Sequence, residues 1–167
     1  QTTLIDVMKQ ASQLGYRGRH DKLKPVVEAT HDLPRIARLT LRRNWKGLTA
    51  AQRERFTERF AAFSVARYAN RFDGYSGERF EFVGEEDAGS TQVVRSNLVK
   101  SNGEKIPFVF QLRESDPGQP RILNITADGV SDLATKQAEY ARILDASGFD
   151  ALMSAVEDQI RKQASGS

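Results

Sequence analysis

The feature that most constrains the fold is the segment from Thr49 to Phe72, TAAQRERFTERFAAFSVARYANRF. Thr49 and Gln52 form a capping-box pattern, in which the hydroxyl accepts from a backbone amide and the glutamine reaches back to the cap. No proline or glycine interrupts the residues that follow. The pattern therefore predicts one long helix.

The apolar residues of this helix form two clusters when they are placed at about 100° per residue. The first cluster contains Phe56, Phe60 and Phe63. The second lies roughly 150° away on the same projection and contains Ala61, Val65, Tyr68 and Phe72. A helix with two such faces must bury both in protein, or bury one against something that is not protein.

Composition excludes several classes of protein. The chain contains no cysteine, which excludes disulfides and thiol nucleophiles. No apolar run approaches the roughly 20 residues that a membrane-spanning helix needs. The chain opens on Gln1 rather than Met, as a processed or trimmed protein would, so the absence of a signal peptide decides nothing about export.

The net charge of +3 is unevenly distributed. Residues 1–72 carry 15 Lys and Arg against 6 Asp and Glu, whereas residues 73–167 carry 10 against 16. One interpretation is a set of solvated helix faces, and the other is a basic face that meets acidic protein or an anionic lipid surface. Nucleic acid is disfavoured because no recognition motif accompanies the basic residues.

Helical patterns fill the first 72 residues. We expect helices over 2–14 and 21–30, with a loop at 15–18 between them and Pro25 in the first turn of the second. Asp32 is the expected cap of a third helix, and Trp45 lies in the link to the long one.

The pattern then changes to alternation. Four strands are predicted at 80–82, 93–99, 106–112 and 122–127, separated by turns of which Asn102-Gly103 is the strongest. Two helices follow, over 131–146 and 149–162, with Ser131 as cap and Gly148 as break. The sequence thus predicts an α+β fold, with N-terminal helices and two C-terminal helices packed on a four-stranded, mainly antiparallel curved sheet. We expect a single domain over 1–164 and a flexible tail over 165–167.

Candidate catalytic groups are few. His20 and His31 lack flanking residues at metal-ligand spacing. Asp73, Asp128 and Asp132 fall at helix ends or in a turn, where capping explains them. We therefore expect neither an enzyme nor a protein that carries a cofactor or metal.

Aromatic residues are more abundant than one sheet face and one helix stripe require. They form either a phenylalanine-rich core or an apolar cavity between a curved sheet and helices. Periodicity does not separate these alternatives.

Four segments belong together: Trp45 with the following LTAAQRERF, Tyr68 to Tyr75, Asp128 to Ser131, and Tyr140 through Asp150. In the order and spacing of these segments the chain resembles, over about residues 2–162, the MlaC, or toluene-tolerance, family of periplasmic lipid carriers. Details at 77–80 and 131–134 are similar to the hopanoid-associated HpnM branch. The resemblance implies a cavity for lipid acyl chains and a periplasmic protein, without its signal peptide, that shuttles phospholipid or hopanoid between membrane-bound complexes. It implies no catalytic residues, and we expect a monomer.

The predicted lipid-lining residues are the aromatic ones on the long helix, the strands and the first closing helix: Phe56, Phe60, Phe63, Tyr68, Phe72, Phe82, Phe108, Phe110 and Tyr140. Two alternatives remain open at this point. One is an adaptor module with a closed aromatic core, and the other is a small-molecule enzyme that uses a pocket carboxylate of raised pKa. A cavity of several hundred Å³ favours the carrier, and a filled core favours the adaptor.

Overall fold

The computed structural model describes residues 1–166, apart from the side chain of Asp116. Helices occupy both ends of the chain and an antiparallel sheet lies between them, which confirms the α+β prediction. The helices are α1 (Thr2–Lys9), α2 (Ala11–Thr30), α3 (Leu33–Leu41), α4 (Ala50–Arg71) and α5 (Asp132–Ser165), with a 3₁₀ turn at Arg42–Gly47. No helix in the described range is long and apolar enough to cross a bilayer.

The predicted long helix is α4, and its capping box is present. The amide of Gln52 donates to the Thr49 hydroxyl at 3.2 Å, and the Thr49 amide donates to the Gln52 side-chain oxygen at 2.9 Å. These two bonds satisfy amides that have no partner within the helix. The predicted cap of α3 is also present, since the Asp32 carboxylate accepts from the amide of Arg35.

The first two helices differ from the prediction. The helix expected over 2–14 ends at Lys9, and α2 already begins at Ala11. The predicted loop at 15–18 is only a kink, because Gly15 alone leaves helical geometry, with φ of 57°. That conformation costs glycine little and other residues more. Pro25 lies inside α2 rather than in its first turn, on the exposed side of the helix.

The sheet is an antiparallel meander with strand order β1-β2-β3-β4-β5. The strands are β1 (Arg79–Ala88), β2 (Thr91–Val99), β3 (Lys105–Asp116), β4 (Gln119–Ala127) and β5 (Val130–Ser131). The predicted four strands are longer than expected, and β5 is a fifth, two-residue strand that the alternation pattern did not reveal. Its backbone pairs with Thr126 and Ala127 immediately before the last helix begins.

The predicted pair of closing helices is confirmed as two helical segments that join at Gly148 and are numbered together as α5. Gly148 interrupts α5 with φ of 79°, at the expected break. Ser131 is the N-cap, as predicted, because its hydroxyl accepts from the amide of Ala134. The helix extends to Ser165 and Gly166 follows it as a left-handed cap, while Ser167 lies outside the described residues. The flexible tail over 165–167 stays a prediction.

The main core forms where α3, α4 and α5 meet. Phe56 and Tyr140 are fully buried there and cross edge to face with their ring centroids 5.8 Å apart. Leu152, Met153 and Val156 complete the cluster from the second half of α5. The helices therefore seal a core among themselves, and the sheet approaches them mainly through β4.

Candidate functional site

A cleft lies between the helical layer and strands β3 and β4, with a volume of about 100 Å³. Most of the side chains that line it are apolar: Leu33, Ile36, Phe60, Phe63, Tyr68, Phe72, Phe108, Ile122, Leu123, Ile125, Ala127 and Leu133. The polar residues in the lining are His31, Thr40, Ser64, Arg67, Arg71, Asn124, Asp132 and Lys136. An apolar space with a small number of polar groups is typical of a ligand site.

One stripe of α4 forms the longest wall of the cleft. It runs from Phe60 through Ser64 and Tyr68 to Phe72, at a spacing of four residues that keeps side chains on one side of a helix. This stripe takes members from both predicted aromatic clusters. Ala61 and Val65 instead face α2, where they pack in a cluster with Val27.

The sheet wall combines one aromatic side chain of β3 with a bulged part of β4. The ring of Phe108 is stacked on that of Phe110 and meets Phe80 edge to face. On β4, Ile122 pairs with Leu112 and Asn124 pairs with Gln111, so Leu123 is an extra residue. Such a bulge disrupts the alternation of side chains along a strand, and consecutive residues of β4 therefore line the cleft.

Three of the four charged residues in the lining lie together at one end of the cleft, namely Arg67, Asp132 and Lys136. Arg67 donates to the Asp132 carboxylate at 2.7 Å, and the Lys136 ammonium contacts Glu139 at 2.8 Å. The same ammonium lies 4.4 Å from the ring centroid of Phe63, so one aromatic ring meets both the cleft and a cation. A second, more polar space of about 250 Å³ adjoins this end and shares Phe63, Arg67, Asp132 and Lys136 with the cleft.

The other polar feature of the cleft is a pair formed by the buried His31 and the partly buried Tyr68. His31 Nε2 and the Tyr68 hydroxyl are 3.0 Å apart, and His31 Nδ1 lies 3.2 Å from the Val27 carbonyl oxygen. Because a carbonyl only accepts, the proton belongs on Nδ1, and the Tyr68 hydroxyl donates to Nε2. Burial lowers the pKa of His31 to about 4 and raises that of Tyr68, which keeps both groups neutral near pH 7.

The same histidine lies where the helices are tied to the sheet. His31 forms a bridge with Ile122 of β4, and the amide of Asp32 donates to the Ile122 carbonyl at 3.0 Å. The Asp32 carboxylate also accepts from the Ser115 hydroxyl of β3 at 2.6 Å. One edge of the cleft is therefore fixed by hydrogen bonds between the α2–α3 junction and the two strands.

The nine predicted lining residues are placed in different environments. Phe60, Phe63, Tyr68, Phe72 and Phe108 line the cleft. Phe56 and Tyr140 pack against each other in the sealed core, Phe110 stacks on Phe108 without lining the cleft, and Phe82 is 68% exposed on the end strand β1. As lipid contacts, all nine stay a prediction.

Sequence reasoning missed the aliphatic half of the lining. Ile36 and Leu33 were on a recognisable apolar face of α3, which was a usable signal. Ile122 to Ala127 read as an ordinary strand, and the bulge that turns consecutive side chains toward the cleft leaves no pattern in the sequence. The polar residues Arg67 and Lys136 lie on predicted helices, but their meeting depends on how α4 and α5 pack.

Neither metal nor acid–base chemistry is suggested by the described residues. No group of three or more His, Cys, Asp or Glu among them could hold a metal ion. Asp132 is the carboxylate in the cleft lining, and it is committed to Arg67 and to the first turn of α5. Such an arrangement is structural, because the carboxylate is paired with a guanidinium and lies at the positive end of the helix dipole.

The family model of the MlaC protein matches residues 1–158, and the chain belongs to this family. A curated relative is the intermembrane phospholipid transport system binding protein MlaC of Haemophilus influenzae, 26% identical over 117 residues. The match covers 68% of this chain and 55% of the relative, so the chain spans about half the length of that protein.

A solved structure with the same fold is the phospholipid-binding protein of Ralstonia solanacearum, determined in complex with a phospholipid. Its TM-score is 0.84 at 15% identity, and the match covers 98% of this chain and 93% of the other. At that identity the likeness establishes the shared fold.

Proposed function

We propose that this protein binds a phospholipid and carries it between membranes. The acyl chains of the lipid would lie in the cleft between α3, α4 and strands β3 and β4. The observation that carries the proposal is the division of the cleft: apolar side chains line most of it, and charged residues cluster at one end. A lipid has the same division between its chains and its headgroup. The polar end would leave a headgroup near water.

The energetics of transport require such a cleft. Each methylene that leaves a bilayer for water costs about 0.8 kcal/mol, so two acyl chains cost tens of kcal/mol. A carrier must replace the bilayer with apolar surface of similar area. The headgroup stays solvated and needs few contacts, which fits a site without a set of catalytic residues.

The cleft volume implies that loading widens the site. At about 100 Å³ it is smaller than the several hundred Å³ expected for a lipid carrier. The bonds from Asp32 to Ile122 and Ser115 fix one edge. Widening would therefore separate α4 and α5 from the strands on the opposite side, with the α2–α3 junction as the pivot.

The cellular setting of the proposal follows from the family. We infer a periplasmic monomer that exchanges lipid with membrane-bound transport complexes, as the name of the Haemophilus relative, a binding protein of an intermembrane phospholipid transport system, suggests. A hopanoid is the alternative cargo. Fractionation of host cells tests the compartment, and the lipid recovered from the native protein distinguishes the cargoes.

The test is organic extraction of protein purified from its own host, followed by mass spectrometry of the lipid. The Ser64→Trp substitution places an indole in the cleft from the α4 stripe and should reduce the lipid-to-protein ratio severalfold. Phe82→Trp on the exposed edge of β1 is the matched control and should leave that ratio unchanged. Far-UV circular dichroism checks that both variants fold.

An adaptor with a closed aromatic core is the second candidate, because the cleft is small. It predicts protein without stoichiometric lipid. Lipid-free native protein that also fails to take up phospholipid from vesicles would overturn the carrier proposal and favour the adaptor.

A further inference from the structure

The segment from Leu33 to Arg53 is the most basic part of the chain. It contains Arg35, Arg38, Arg42, Arg43, Lys46 and Arg53, and no Asp or Glu. The first five form no ion pair with any residue in the described range 1–166, whereas eleven ion pairs occur elsewhere in that range. We call these five residues the basic surface. Their unneutralised charge is the feature that requires an explanation.

The basic surface is held in place by the helix behind it. Arg53 of α4 donates to the carbonyl oxygens of Trp45 and Lys46, at 3.0 and 3.1 Å. Its guanidinium also lies 5.6 Å from the Trp45 ring centroid. These contacts fix the 3₁₀ turn to α4, so the cations are presented by a tethered backbone.

The basic surface and the cleft lie on opposite sides of α3. Ile36 and Thr40 line the cleft, one helical turn apart. Arg35 and Arg38 lie three residues apart on the other side of the same helix, and Arg42, Arg43 and Lys46 follow in the 3₁₀ turn after it. A helix is about 10–12 Å across with its side chains, so a partner on the basic surface lies one helix width from the cleft.

We propose that the basic surface docks on the anionic surface of a lipid bilayer. Protein partners are usually gripped through aromatic or other apolar anchors. The exposed large hydrophobic residues of the described chain are Tyr75, Phe82, Val83 and Val130, and none of them belongs to this segment. Lipid headgroups require only clustered positive charge, at about 1 kcal/mol for each basic residue near the surface.

The inference rests on charge and exposure and does not depend on the cargo. Docking by this surface would place α3 flat against the headgroups and bring the cleft close to the bilayer. The association is electrostatic, because the apolar side of α3 is buried in the core. It must therefore weaken as salt screens the charges.

The experiment is co-sedimentation of the full chain with vesicles of phosphatidylcholine alone and of phosphatidylcholine mixed with phosphatidylglycerol. We expect binding only to the mixed vesicles, and loss of that binding at high salt. The triple variant R38E/R43E/K46E should bind at least roughly tenfold more weakly. These three side chains are exposed and Arg42, with its positive φ, is left unchanged.

The matched control is R17E/K24E/K162E, which makes the same change in net charge at exposed positions on α2 and α5. It should retain most of the binding. R38Q/R43Q/K46Q provides a milder variant, and thermal melting checks that every protein folds. Lipid content of the same preparations is measured separately, so failure of docking and failure of lipid carriage are distinguishable.

Three outcomes would overturn the proposal. The first is binding to phosphatidylcholine as strong as binding to mixed vesicles. The second is an equal loss in both triple variants, which would indicate a general effect of net charge. The third is tight, R38E/R43E/K46E-sensitive binding to poly-glutamate with no binding to anionic vesicles, which would indicate an acidic protein partner instead.

Discussion

Two aromatic regions of this protein are built from the same residue types but differ in what covers them. In the sealed core, Phe56 and Tyr140 are fully buried against each other and against Leu152 of α5. In the cleft, Tyr68 and Phe72 stack on each other but stay partly accessible. The difference shows that an aromatic stripe on one helix serves both as core and as cavity wall, depending on the element opposite.

The difference between the sealed core and the cleft is tested most directly by removing one aromatic ring from each region. Phe56→Ala should lower the free energy of unfolding by about 3–5 kcal/mol, because it removes a fully packed ring and leaves a cavity. Phe72→Ala should lower the free energy of unfolding by less than about half of that amount, because the Phe72 ring is already partly exposed to the cleft. Urea denaturation of both variants measures the difference.

Equal losses for the two substitutions would contradict the division into sealed core and cleft. Phe60→Ala is a useful third point, because Phe60 belongs to both the core cluster and the cleft lining. The loss of unfolding free energy in Phe60→Ala should lie between the losses in Phe56→Ala and Phe72→Ala.

The next largest effect concerns the histidine at the edge of the cleft. The folded-state pKa of His31 is about 4, below its ordinary value of 6.5. The unfolded chain therefore binds a proton more readily, and the stability that His31 contributes is complete above pH 6.5 and is lost as the pH falls toward 4. The loss amounts to about 3 kcal/mol at most.

Melting temperatures between pH 7 and pH 4 measure this linkage. His31→Gln should flatten the pH dependence relative to the unmodified protein. His20→Gln, at a half-exposed position on α2, is the matched control for loss of a histidine. Both variants carry the same carboxylates, so the comparison between them isolates the effect of the His31 imidazole. An unchanged slope in His31→Gln would refute the assignment of a buried neutral imidazole.

The smallest effect concerns the ion pair at the polar end of the cleft. Arg67 and Asp132 are 2.7 Å apart, but each side chain is about one-third exposed, at 31% and 35%. Solvent screening therefore limits their coupling to about 1 kcal/mol or less. A double-mutant cycle with Arg67→Gln and Asp132→Asn isolates it from the effect of Asp132 on the helix dipole.

A larger coupling in that cycle would mean that the polar end is as well sealed as the core. In that case the Arg67–Asp132 ion pair would belong to the sealed core rather than to the cleft. Repeating the cycle after incubation with phospholipid vesicles tests whether the coupling between Arg67 and Asp132 responds to a lipid headgroup.

Much of the fold was predictable because its signals are local. The Thr49 capping box, the Asp32 and Ser131 caps and the break at Gly148 are each encoded within a few residues, and each is present in the structure. The predicted boundary between the first two helices was wrong because it rested on local signals alone. Gly15 and Gly18 resemble a loop locally, yet the helix resumes at once because its apolar face packs on α4.

The site was only partly predictable. Five of nine proposed aromatic residues line the cleft, but periodicity assigned Phe56 and Tyr140 to the same role as Phe63. Which ring faces protein and which faces space depends on contacts between residues more than 80 positions apart. No local pattern records those contacts.

The sequence by itself determined the order of helices and strands, the caps that end them and the concentration of positive charge on α3 and the turn after it. Only the tertiary structure decided that the α4 stripe is divided between a sealed core and a cleft, and that a bulge at Leu123 completes the sheet wall of that cleft. The physical reason is that propensity, capping and periodicity act over a few residues. Burial depends on distant surfaces that meet only when the chain packs.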